Sequence, residues 1–128
     1  MKDLSTGVEC NGILVPPSPF LTDARLRRIR SGRYQHEAMA GVLATVGPRD
    51  RVLDLGAGLG IVGAAALQRT GAEALLAYEA NPALIPKISE LYALNGLCDR
   101  SEVRHGVLWS GETRPETVPL NVANDFPK

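Results

Sequence analysis

Between Val52 and Gly60 the chain reads Val-Leu-Asp-Leu-Gly-Ala-Gly-Leu-Gly. Three glycines, Gly56, Gly58 and Gly60, alternate with Ala57 and Leu59 after a short apolar run that carries an acid, Asp54. Glycine lets the backbone take positive φ and leaves space for a ligand to approach. The free N–H groups of such a turn, with the dipole of a following helix, favour an anionic or polar ligand group. A second acid, Glu79, ends the next apolar run, 25 positions after Asp54. A carboxylate there can accept hydrogen bonds from both hydroxyls of a ribose.

Two ligand classes use a turn of this kind. A dinucleotide site wants Gly-x-Gly-x-x-Gly at the end of a strand. The frame starting at Gly56 fails, because Ile61 stands where the third glycine belongs. The frame Gly58-Gly60-Gly63 has the spacing, but its first glycine lies too far beyond the strand. A site for S-adenosylmethionine wants an acid on the strand and then Gly-x-Gly-x-Gly, and Asp54 to Gly60 matches at every defined position. That cofactor carries an ammonium, a carboxylate and a sulfonium, and no phosphate. An acid beside the turn suits the ammonium, and the glycines let the backbone pass close to the methionine part and the ribose. Nicotinamide dinucleotide sites also place an acid where Glu79 stands, so Glu79 alone does not separate the ligands. A tight turn without ligand is the remaining alternative, and the two acids with three alternate glycines argue against it together.

The elements that must hold this turn follow from local signals. Arg51–Leu55 reads as a buried strand, and Ile61–Thr70 as a helix of small apolar residues capped by Gly71. Ala74–Tyr78 is a second strand with Glu79 at its C-terminal end. Asn81 can cap the next helix, with Pro82 at its first position. That helix carries Ile85, Ile88, Leu91 and Tyr92 on one face. Pro86 fits only if it still lies in the first turn. Glu102–Leu108 reads as a third strand, and the alternation of Val118, Leu120 and Val122 suggests a fourth over Thr117–Val122. Upstream, Val15-Pro16-Pro17-Ser18-Pro19 reads as an extended connector. Thr22 can cap a short helix running to about Ser31, and a second helix is expected over Tyr34–Val46 with Met39, Val42, Leu43 and Val46 on one face. Strands alternating with helices predict an α/β fold with a Rossmann-like parallel sheet flanked by helices. Residues 1–48 form a helical N-terminal lead-in and residues 49–128 a cofactor-binding half.

Composition narrows the setting. The 128 residues hold 14 basic and 14 acidic side chains, so net charge gives no argument for a polyanionic partner. No apolar run has the length of a membrane span, and the N-terminus shows no leader-type apolar stretch. Membrane association is not expected. Cys10 and Cys98 form no Cys-x-x-Cys pair, and with only His36 and His105 no zinc-ligand spacing exists. The expectation is a cytoplasmic, metal-free protein with two free thiols. Arg25, Arg27, Arg28, Arg30 and Arg33 read as the solvated face of a short helix. No aromatic residues interleave for base stacking, so nucleic acid is not the expected partner.

With these residues in place, the chain resembles the FkbM family of class I S-adenosylmethionine-dependent methyltransferases. Three blocks carry the resemblance: Ser31 to Gly60 with its Gly-x-Tyr lead-in, Ala77-Tyr78-Glu79-Ala80-Asn81-Pro82, and the helix end Leu94-Asn95-Gly96 before a strand. Gln35 follows Tyr34, and the acid of the lead-in comes at Glu37. The likeness spans about residues 12–128. It implies that Asp54, Gly56, Ala57, Gly58 and Gly60 shape the methionine side of the cofactor site, and that Glu79 binds the ribose. It implies that Ala80 and Asn81 lie beside the adenine or ribose, and that Gly106 and Val107 border the adenine. Tyr34 and Glu37 would close the site from the N-terminal side. A packing tyrosine and a solvated helix acid are equally ordinary readings of that pair.

The implied activity is methyl transfer to an acceptor hydroxyl of a small molecule or a sugar. No catalytic base can be named. His105 falls on a strand and reads as structural; an acceptor-side role is the lesser reading of His36. A complete fold of the implied class has seven strands, whereas three to four are counted here. The chain therefore reads as an N-terminal portion that continues beyond Lys128, with an open sheet edge that invites self-association into a homo-oligomer. The alternative function is a non-catalytic nucleotide-binding module.

Overall fold

A computed structural model describes residues 7–122. Residues 1–6 and 123–128, which fall within the two expected segments 1–48 and 49–128, lie outside the described residues.

The described residues open with a hairpin, where the sequence predicts no strand. Strands β1 (Val8–Cys10) and β2 (Ile13–Val15) pair antiparallel, Glu9 opposite Leu14. Asn11 and Gly12 make the turn at φ 51° and 85°, both positive as a two-residue hairpin turn of this twist requires. The proline-rich segment follows without regular structure. Helix α1 (Asp23–Arg30) starts where expected: the Thr22 hydroxyl accepts from the Arg25 N–H at 3.3 Å. Helix α2 (His36–Thr45) starts two residues later than expected, because Gln35 takes a left-handed φ of 47° and breaks the lead into it.

Strands β3 (Arg51–Leu55), β4 (Ala74–Glu79) and β5 (Ser101–His105) form a parallel sheet in the order β3-β4-β5. Helix α3 (Ile61–Thr70) links the first pair and helix α4 (Ile85–Leu94) the second. This is the expected α/β, Rossmann-like arrangement. A short 3₁₀ turn at Pro82–Leu84 precedes α4 and leaves Pro86 in the first turn of that helix, where its missing N–H is tolerated. Strand β5 ends at His105, before the expected Leu108, and Thr117–Val122 is not a strand. Alternation alone did not supply the latter with a partner edge.

Register assigns the faces. Asp54 lies beside Ala77, and Ala77 beside Val103; Leu53 lies beside Leu76, and Leu76 beside Glu102. Side chains alternate along a strand, so Val52, Asp54, Leu75, Ala77, Glu79 and Val103 share one face. Helices α3 and α4 cover it. Ala64, Ala65, Ala66 and Leu67 of α3 and Ile88, Leu91 and Tyr92 of α4 are buried. The small residues of α3 let it come close: a Cβ on Gly63 would stand 3.0 Å from Leu75 Cδ2. No helix among the described residues covers the opposite face. Leu53 is 58% and Leu55 48% exposed, so β3 is not the two-sided buried strand its apolar run suggested.

The hairpin closes the other side of the helices. Cys10, Ile13 and Val15 belong to the same hydrophobic core as α3 and α4. The Gln68 side chain donates to the Gly12 carbonyl at 3.1 Å. Asn95, at the end of α4, accepts from the Leu14 N–H at 2.9 Å and donates to the Leu14 carbonyl at 2.8 Å. No helix among the described residues is long and apolar enough to cross a membrane.

Candidate functional site

The turn that follows β3 is shaped by its glycines and held by β4. Gly56, Gly58 and Gly60 take φ of 79°, 62° and 85°, conformations that side chains with a Cβ rarely adopt. The Gly56 and Ala57 N–H groups both donate to the Tyr78 carbonyl, at 2.9 and 3.0 Å. The Gly58 N–H donates to Glu79 Oε2 at 2.7 Å. Gly60 begins α3 without a side-chain cap, so the N–H groups of the first helical turn stay available to an anionic group. Apart from its chain neighbours, no heavy atom of the described residues stands within 4 Å of where a Cβ on Gly56 would lie.

The two acids differ in their company. Glu79 is 7% exposed. Its Oε1 accepts from the Asn81 N–H at 3.0 Å, while Oε2 takes the Gly58 bond. Each oxygen retains a further lone pair for a ligand hydroxyl. Glu79 therefore also welds the turn to the start of the next helical segment, where Asn81 Oδ1 accepts from the Ala83 N–H at 3.0 Å. Asp54 is half-buried and makes no hydrogen bond among the described residues. Burial raises its pKa, and the neighbouring charge of Glu79 raises it further. An acid so placed favours a cationic partner, which would relieve both penalties.

Ala80, Gly106 and Val107 come together elsewhere. With Pro82, His105 and Trp109 they line a cleft of about 760 Å³ at the C-terminal ends of β4 and β5. The Gly106 N–H donates to the Glu79 carbonyl at 3.1 Å, which joins this cleft to the acid. His105 Nε2 lies 3.0 Å from the Ala80 carbonyl, a contact that places the ring proton on that nitrogen. Trp109 lies in no motif of the sequence; its indole N–H donates to the Thr113 carbonyl at 3.0 Å.

The structure ties neither Tyr34 nor Glu37 to the turn by a hydrogen bond. Tyr34 is buried, and its phenol pKa is raised by burial and partly lowered by Arg25. Glu37 is exposed in the first turn of α2. His36 is exposed, with Nδ1 3.0 Å from the Arg33 carbonyl. No group of three or more His, Cys, Asp or Glu side chains gathers among the described residues.

No family model and no curated protein sequence matches the chain. Solved structures do. An RNA methyltransferase from Salinibacter ruber, in complex with S-adenosyl-L-homocysteine, is similar at 29% identity and a TM-score of 0.51 over 56% of this chain and 47% of its own. A protein from Galdieria sulphuraria, proposed to be a sarcosine dimethylglycine methyltransferase, gives 22% identity and a TM-score of 0.50 over 61% of this chain and 30% of its own. A proposed transferase from Pyrococcus horikoshii gives 19% identity and a TM-score of 0.55 over 77% of this chain and 34% of its own. The chain thus spans less than half the length of each of these three proteins.

Proposed function

We propose that this chain is the S-adenosylmethionine-binding portion of a methyltransferase, of FkbM type, with residues 1–48 as lead-in and 49–128 as the cofactor-binding half, working in the cytoplasm. The observation that carries the reading is Asp54: a half-buried acid without a hydrogen bond among the described residues, beside three glycines at positive φ. When bound, the cofactor supplies a methyl group already activated on a sulfonium. The chain's own residues bind and orient. Asp54 takes the ammonium, the open first-turn N–H groups of α3 take the carboxylate, and Glu79 accepts from the ribose hydroxyls. Ala80, Gly106 and Val107 border the adenine. Alignment and exclusion of water supply much of the rate in such a site. A general base is needed only where the acceptor hydroxyl is weakly acidic.

A hydroxyl on a small molecule or sugar is the acceptor implied by the family resemblance. The Salinibacter likeness favours RNA instead, and Arg27, Arg28, Arg30 and Arg33 are exposed and form no ion pair among the described residues. One set of calorimetric titrations tests both levels. S-adenosylhomocysteine is expected to bind and NAD not to bind; the reverse outcome overturns the cofactor assignment. Glu79→Ala is expected to weaken binding by about 1–3 kcal/mol, the loss of a charged hydrogen-bond acceptor. Binding of a short single-stranded RNA that Arg27→Gln with Arg30→Gln abolishes would select the RNA acceptor.

A further inference from the structure

Tyr92 lies on α4 and is 2% exposed. Among the described residues, its hydroxyl is the one buried side-chain polar atom without a hydrogen-bond partner. Burying an unpaired hydroxyl is unfavourable, and a phenylalanine would fill the same space without that penalty. The position of the ring suggests why a tyrosine stands here. A Cβ on Gly60 would lie 3.5 Å from Tyr92 Cε1, and a Cβ on Gly63 would lie 2.9 Å from Asp54 Oδ2. Phenol and carboxylate therefore approach the same first turn of α3, where two glycines make the room. Asp54 itself has no hydrogen bond among the described residues. The ionisable groups that face it are Glu79 from β4 and Tyr92 from α4; α3 offers none from Ile61 to Leu67.

We propose that Tyr92 is a positioning residue for Asp54, its hydroxyl serving as the donor that orients the carboxylate toward the turn for a ligand's ammonium group. Burial and the charge of Asp54 hold the phenol far above its ordinary pKa, so it stays a donor throughout the working range.

This deepens the reading of Asp54 as the ammonium partner, and a ligand-free experiment keeps the two separable. The carboxyl carbons of the full chain are titrated by NMR without cofactor. Tyr92→Phe is expected to raise the Asp54 midpoint by about half to one pH unit, one lost hydrogen bond expressed as a pKa change. An unchanged midpoint in the folded variant overturns the proposal. Should Tyr92→Phe not fold, the phenol carbon of wild-type Tyr92 gives the answer: its resonance must move as Asp54 titrates, and indifference to that titration overturns the proposal equally. With S-adenosylhomocysteine, Tyr92→Phe is expected to bind several-fold more weakly, the deficit growing as pH falls toward the raised midpoint. A deficit equal at every pH marks mere packing and overturns it.

Discussion

On one face of the parallel sheet, Val52, Leu75 and Ala77 lie under α3 and α4; on the other, Leu53 and Leu55 stand open beside Leu76 and Tyr78. The same strands build both faces. The difference decides where chemistry can sit. Asp54 is one residue from Leu53, and strand alternation turns it toward the helices, where reduced contact with water penalises its charge. On the open face a charge meets no such penalty: Arg104 and Glu102 pair there at 2.7 Å while largely exposed, an arrangement that contributes little. The closed face can therefore select a ligand by charge, and the open face cannot.

Three measurements would break or sharpen this contrast. The largest effect is expected from Ile88→Ala under the closed face. Ile88 is fully buried, and its truncation should cost about 2–5 kcal/mol in a urea melt. The next concerns Asp54. Folding raises its pKa, so its protonated form gives stability that is complete below the ordinary carboxylate range and is lost as pH rises through the raised midpoint. Asp54→Asn should accordingly stabilise the ligand-free protein at neutral pH, by less than the Ile88 loss, and lose that advantage in acid. Equal thermal shifts at both pH values would contradict the assigned cause. The smallest effect is expected from Leu53→Ala, within about 0.5 kcal/mol as for exposed positions. A cost of the Ile88 kind would mean that the open face is covered in solution, and sedimentation would tell whether by a second copy.

Much of the scaffold is legible locally. Thr22, Gly71 and the Asn81-Pro82 pair announce helix ends by side chain or conformation alone, and each stands where its type predicts. The hairpin was legible too, since Asn11-Gly12 between apolar residues is a strong turn signal, yet strands of three residues give little periodicity to read. The burial of β3 was not legible: an apolar run looks the same whether one face is covered or both. Within the site, the glycine conformations follow from residue type. The bond from Gly58 to Glu79 depends on how β4 lies against the turn, which spacing does not encode. Tyr92 reads as one more apolar position on a helix face, because nothing in the pattern distinguishes a phenol from a benzyl ring.

Asn95 treats the outer edge of β2 in a way that matters for how the chain meets other chains. Its amide meets Leu14 as a neighbouring strand would, with one donor and one acceptor. A peptide strand would go on to offer the next pair two residues later; a side chain has nothing further to offer. The hairpin edge is thereby occupied by a partner that cannot be extended, and growth of the ladder by a foreign strand is stopped at that point.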